Sequence, residues 1–224
     1  MSTMYQTPSG PVQEPVEVDL WSYGGVPLGH VGAFDSMIFN FVERAADTAT
    51  LVLPLTELTA QLLPCDGTVL IVARISGATH VSTPVSVQVA SGDDPAVATV
   101  TVTSAGGWTL LDGQVIPPGL EDGLVTPDAE YEVTGPLETV VKRLITIGTL
   151  RCTHPVYILP DQGRGPTVTV SGAWETVGDT VKGLVSGTGF RLRVDGWAPG
   201  DPQPDPDLQL QWPCVVVDLS LIHI

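Results

Sequence analysis

Apolar and polar positions alternate with a period of two through much of the first hundred residues. Val16-Glu17-Val18-Asp19-Leu20 sets the pattern, as a half-buried strand requires. Gly24-Gly25 turns the chain, and 26–31 returns as a partner strand. Met37, Phe39 and Phe41 alternate next, and 48–53 is rich in residues of high β propensity. Pro54 opens a short helical candidate with Leu55, Leu58 and Leu62 on one face, closed by Pro64. Asp66-Gly67 turns into a strand at 69–74, and further strands follow at 81–89 and 97–103. Short strands at this spacing predict an antiparallel barrel or sandwich.

The pattern lapses from Gly106 to Asp128, where Gly, Pro and acidic residues predict a loop or connection. Beyond it the period changes. Leu137, Val140, Val141, Leu144 and Ile145 fall at helical spacing behind Pro136, which suits a first helical turn, and Gly148 marks the stop. A strand at 167–170 leads to a second helix. Thr176 caps it, Asp179 favours its N-terminus, and Val177, Val181, Leu184 and Val185 form its apolar face. Phe190–Val194 alternates as a strand, ended by Asp195-Gly196.

The predicted fold is α+β and mainly β: an N-terminal antiparallel β-barrel or sandwich-like domain, then a small α+β domain with two helices on a short sheet. Residues 1–15 are expected to form a flexible arm, 16–132 the β-rich domain (with 106–132 as its loop or connection), and 133–198 the α+β domain. Residues 199–218 hold an acidic, Pro-rich loop and the start of a further strand. The last six residues, Leu219 to Ile224, resemble the peptide encoded by the conserved end of a transposon used to prepare sequencing libraries. On that reading the chain is a truncated fragment that naturally continues past Asp218. The other reading is an apolar strand continuing Val215-Val216-Val217.

Composition narrows the function classes. Among 224 residues, 25 are acidic and 9 basic, a formal charge of −16. A nucleic-acid binder needs cations to displace counterions from phosphates, and an anionic membrane surface makes the same demand. No run approaches the roughly 18 apolar residues of a membrane span. The polar, Pro-rich start predicts no signal peptide. Cys65, Cys152 and Cys214 are few, odd in number and far apart, which fits thiols made in a reducing compartment.

The search for chemistry returns little. Asp93-Asp94 and Glu121-Asp122 sit in turn-rich stretches. Asp201, Asp205 and Asp207 lack the spacing of a calcium loop. Cys152 and His154 make one weak pair where zinc needs four ligands, with His30 and His80 remote. No nucleophile elbow or phosphate loop occurs. No catalytic, cofactor or metal residues are assigned. Of the five tryptophans, Trp21 and Trp174 read as core, while Trp108, Trp197 and Trp212 lie among Gly and Pro and read as surface or interface anchors.

Several segments in order resemble the minor tail proteins of long-tailed phages that infect actinobacteria. They are Val16 to Gly29, Leu51-Val-Leu-Pro54, Thr134-Gly-Pro-Leu-Glu-Thr-Val-Val-Lys-Arg143, and Asp161-Gln-Gly-Arg-Gly-Pro-Thr-Val-Thr-Val170 with the helix and strand after it. Thr83, Gly106-Gly107 and Ile147-Gly148 depart from the family pattern. The resemblance implies a structural, non-enzymatic virion component at the tail-tip hub or baseplate. It implies a homo-oligomeric ring, a trimer, contacting tail tube or distal tail proteins and the tape-measure protein. DNA would pass through without being specifically bound, and no membrane insertion is implied. Residues 1–135 carry 16 acids and two bases, against nine and seven in 136–224, so the first part is the one expected to line a DNA channel. Two other readings stand beside this one: a β-rich adhesion module binding cell-wall glycan through Trp108, Trp197 or Trp212, and a tail-associated hydrolase fragment.

Overall fold

The computed structural model describes residues 2–5, 16–40, 47–91, 98–118, 130–150, 152 and 154–221. The expected turns at Asp93-Asp94 and Glu121-Asp122, with Phe41 and Val97, lie outside them. The chain divides into two compact units. One comprises 1–107 with 195–215, and the other 108–194 with 216–224. Each unit is built from two separated stretches of sequence.

The first unit carries eight strands: β1 (Ser2–Tyr5), β2 (Glu17–Ser22), β3 (Pro27–His30), β4 (Ser36–Asn40), β5 (Thr48–Pro54), β6 (Val69–Ile75), β7 (Ala78–Ala90) and β8 (Thr99–Gly106). They form one sheet in the order β1-β4-β5-β8-β7-β6-β2-β3, and every pair among them is antiparallel. Alternation sorts the side chains. In β5, Ala49, Leu51 and Leu53 are buried while Thr48, Thr50, Val52 and Pro54 face the other way. Val18 and Leu20 near one edge of the sheet share a single apolar cluster with Met37 and Phe39 near the other. The sheet therefore curls around its own core, but among the described residues β1 and β3 remain its edges, so the barrel alternative is not closed. Pro27 opens β3 without an N–H to offer a further strand.

Local differences follow from context. Ser2–Tyr5 pairs with β4 where a flexible arm is expected. The helical candidate after Pro54 reduces to a 3₁₀ turn at Thr59–Leu62, built by reciprocal hydrogen bonds between Thr56 and Thr59. β6 pairs with β7 only across residues 78–82. Residues 83–90 of β7 thus have β8 on one side and no described strand on the other.

The second unit contains α1 (Trp108–Gly113), β9 (Tyr131–Pro136), α2 (Leu137–Thr149), β10 (Val156–Ile158), β11 (Thr167–Gly172) and α3 (Val177–Val185). β9 and β11 form an antiparallel pair. Strands β12 (Phe190–Trp197) and β13 (Cys214–Leu221) join β10 in the order β10-β13-β12. Asp195-Gly196 therefore lies within β12 rather than ending it. Thr176 caps α3 as its sequence predicts, accepting a hydrogen bond from the Asp179 N–H at 3.2 Å. Pro136 stands one residue earlier than expected, at the N-cap of α2. Residues 106–132 are not wholly a connection, because α1 buries Trp108 and Leu111. Residues 219–221 continue β13, and Leu219 is fully buried.

Candidate functional site

The three tryptophans expected as anchors do not come together. Trp108 belongs to the second unit and is only 7% exposed. Lys182 lies over its ring at 5.1 Å and donates to Asp112 at 2.8 Å. A Cβ at Gly178 would collide with that same Asp112 carboxylate, which accounts for glycine in the first turn of α3. Trp197, in the first unit, is 4% exposed, and its indole N–H donates to the Pro202 carbonyl at 2.9 Å. Both rings are interior, which corrects their reading as surface anchors. Trp212 is 49% exposed and packs on Gly25, where a Cβ would come within 2.9 Å of the Trp212 Cβ. Gly25 also has φ 78°, so two constraints favour glycine there.

Trp21 packs beside Leu70, Val72, Val81 and Ala198, as a core residue should. Trp174 does not. It is 49% exposed on a backbone with φ 65°, which corrects its assignment to the core.

The remaining candidates engage in local structure. Asp201 accepts from the Ala198 N–H, and Asp205 from the Asp207 N–H, each closing its own turn. Among the described residues, no group of three or more His, Cys, Asp or Glu could hold a metal ion. All three cysteines are free, and burial pushes the Cys214 thiol up to about 12. Burial likewise depresses His154 to about 4. Among the described residues, no helix is long and apolar enough to cross a membrane.

The most concentrated chemistry lies elsewhere, in the second unit. Glu138, in the first turn of α2, is fully buried, and Lys142 one turn later is nearly so. Glu138 Oε1 accepts from Lys142 Nζ at 2.7 Å and Arg164 Nη2 at 2.8 Å. Its Oε2 accepts from Arg164 Nε at 2.8 Å and the Arg164 backbone N–H at 3.0 Å. Lys142 also donates to the Pro160 carbonyl and to Asp218. Arg164 reaches Asp218 at 3.2 Å and the Leu219 carbonyl beyond it. Burial alone would raise the Glu138 carboxyl, but hydrogen bonds from Arg164 and Lys142 outweigh it and bring the group to about 2. Such a carboxylate is too weak a base to take a proton near neutrality. The cluster instead fastens α2, the loop that carries Arg164, and β13 to one another.

Sequence reasoning missed this cluster. The one local signal was Glu138 and Lys142 at i,i+4, set among the apolar positions Leu137, Val140, Val141, Leu144 and Ile145. Arg164 and Asp218 are distant in sequence and join only through the fold.

With this geometry in hand, the chain can be compared with known proteins. Residues 17–219 match the family model described as Siphovirus ReqiPepy6 Gp37-like protein. The chain belongs to that family. The Gp37-like match runs from the start of β2 into β13 and so takes in both units. No curated protein matches the chain. Among solved structures, this Gp37-like chain is similar to the tail protein from Neisseria meningitidis MC58, at 12% identity and a TM-score of 0.47, covering 90% of this chain and 50% of that one. It is also similar to the 43 kDa tail protein of prophage MuSo2 from Shewanella oneidensis, at 13% identity and a TM-score of 0.46, covering 91% and 54%. The chain thus spans about half the length of these two proteins.

Proposed function

We propose that this protein is a structural component of a siphovirus tail, that it sits at the tail-tip hub or baseplate, and that it works by assembly rather than by catalysis. Membership of the Gp37-like family across residues 17–219 carries this reading. The ordered segments that resemble minor tail proteins of phages infecting actinobacteria extend it to that host class. Its partners are further copies of the chain in a ring, a trimer by the same resemblance, with tail tube or distal tail proteins and the tape-measure protein.

Charge supports a further element of the proposal. The first unit contains 14 acidic and two basic residues, a net −12, whereas the second contains 11 and seven, a net −4. An acidic wall repels phosphates, so DNA passes without adhering. We assign the channel-facing role to the first unit on this ground. The test is cryo-electron microscopy of purified virions. A ring of this chain at the tail tip, with an acidic inner wall, is the expected result. Absence of the chain from the virion overturns the structural role, and a neutral or basic wall overturns the channel role.

A further inference from the structure

The turn between β11 and α3 displays a tryptophan in an unusual way. Trp174 has φ 65°, a left-handed conformation that bulky residues rarely adopt, and half of its surface is open to solvent. This is not a loose loop. The Trp174 N–H donates to the Ile116 carbonyl at 3.1 Å, and the Ile116 N–H returns a bond to the Glu175 carbonyl at 2.9 Å. Val115 forms an isolated β-bridge with Thr176, and its side chain is 44% exposed. Two large apolar side chains thus stand in solvent on paired segments whose backbones are fixed.

The charges around this patch share one sign. Glu175 and Asp179 are exposed on the turn and the first turn of α3. On the neighbouring strand Glu132 is exposed opposite Ser171, and exposed Glu130 precedes Tyr131, which lies opposite Gly172. Residues 114–118, 130–137 and 165–181 contain no Lys or Arg. The flanking cations are committed, Arg164 to Glu138 and Asp218, and Lys182 to Asp112 and Trp108.

We propose that the Trp174–Val115 patch docks a segment of another protein that presents Lys or Arg. An exposed indole face attracts a cation, and a pre-positioned aromatic residue is the commonest kind of energetic anchor in an interface. The surrounding carboxylates select the sign of the partner by charge complementarity. A second copy of this chain, itself at −16, is the wrong partner for this patch, because each copy would bring acids to acids.

The test uses the full chain labelled with ¹⁵N and an acetylated peptide of alternating glycine and arginine. The control peptide carries neutral citrulline in place of arginine. The arginine peptide is expected to shift one indole N–H signal, the one missing from Trp174→Gly, and the shift weakens with added salt. Trp174→Gly suits the left-handed backbone, so the other indole signals stay in place while affinity falls by about two- to fivefold or more. The double variant Glu130→Gln, Glu132→Gln keeps the ring and also weakens binding. The proposal is overturned if Trp174→Gly binds as the parent does, or if the citrulline peptide gives an equal shift. It is equally overturned if no binding occurs at millimolar peptide, or if a neutral oligosaccharide such as maltotetraose shifts the Trp174 signal in the parent and the double Gln variant alike.

Discussion

The two units bury different things. In the first, the buried polar side chains among the described residues are hydroxyls, Thr59 and Ser104. In the second they are ions, Glu138 and Lys142. The reason lies in how each element meets its core. A strand turns alternate residues away from the interior, so the first unit sends Thr50 and Thr101 outward while Leu51 and Val102 go inward. Helix α2 is covered on most sides, with only Arg143 and Thr146 exposed to solvent. Leu137, Val140, Val141, Leu144 and Ile145 are buried, and so are two polar positions between them. An ion held there without partners costs several kcal/mol, and the protein meets that cost by surrounding Glu138 with four hydrogen-bond donors.

The contrast can be broken by substitution. Glu138→Ala removes the buried counter-charge that Lys142 and Arg164 share, leaving the two cations to share Asp218, and is expected to destabilise the second unit by about 3 kcal/mol. Hydrogen exchange should then lose protection at Val140–Ile145 and keep it at Leu51 and Val102. Loss of protection in both places would show that the units do not differ in what holds them. Acid probes the same group without mutation. Its folded pKa is depressed from 4.5 to about 2, so its contribution is complete above pH 4.5 and disappears as pH falls to about 2. That contribution is about 3 kcal/mol, read from urea midpoints across this range, and it should vanish in Glu138→Gln. His154 is also depressed, from 6.5 to about 4, so a loss of comparable size begins below pH 6.5 and should be absent from His154→Phe.

Smaller effects sharpen the comparison. Thr176→Ala removes the cap of α3 and should cost about 1 kcal/mol in the second unit, seen as a lower thermal midpoint. In the first unit Arg74 donates to Asp19 at 3.1 Å and to the Pro199 carbonyl at 2.8 Å. Because Arg74 and Asp19 are both partly exposed, Arg74→Met should cost only about 0.5–1 kcal/mol in a denaturant titration. The same kind of ion pair is worth several times more inside the second unit.

Strand periodicity makes most of the first unit legible in the sequence. Val18, Leu20, Leu51 and Val102 sit in the core because alternation places them there. The order of the strands was not legible, since pairing β1 with β4 and β2 with β6 depends on contacts distant in sequence. Short elements escaped for another reason. In α1, Gly106-Gly107 and Asp112-Gly113 read as turns and hide a six-residue helix whose stability comes from burying Trp108 and Leu111. β9 escaped because Gly135-Pro136 reads as the start of the next helix. Trp174 shows the limit most clearly. An apolar residue near a regular pattern predicts core, yet Trp174 sits on a left-handed backbone and is half open to solvent.

The half of β7 that β6 does not reach has a bearing on how the purified chain behaves. Residues 83–90 carry no charge and leave one row of backbone groups without a strand to pair with among the described residues, the kind of edge through which sheets add to one another. At neutral pH, mutual repulsion of a −16 chain keeps such edges apart. The isoelectric point is near 4.2, well above the pH at which Glu138 takes up its proton. On acidification the molecules therefore lose their colloidal repulsion before they lose the ion cluster. A turbid suspension at pH 4 should hold folded chains joined edge to edge, and it should clear when the pH is raised again.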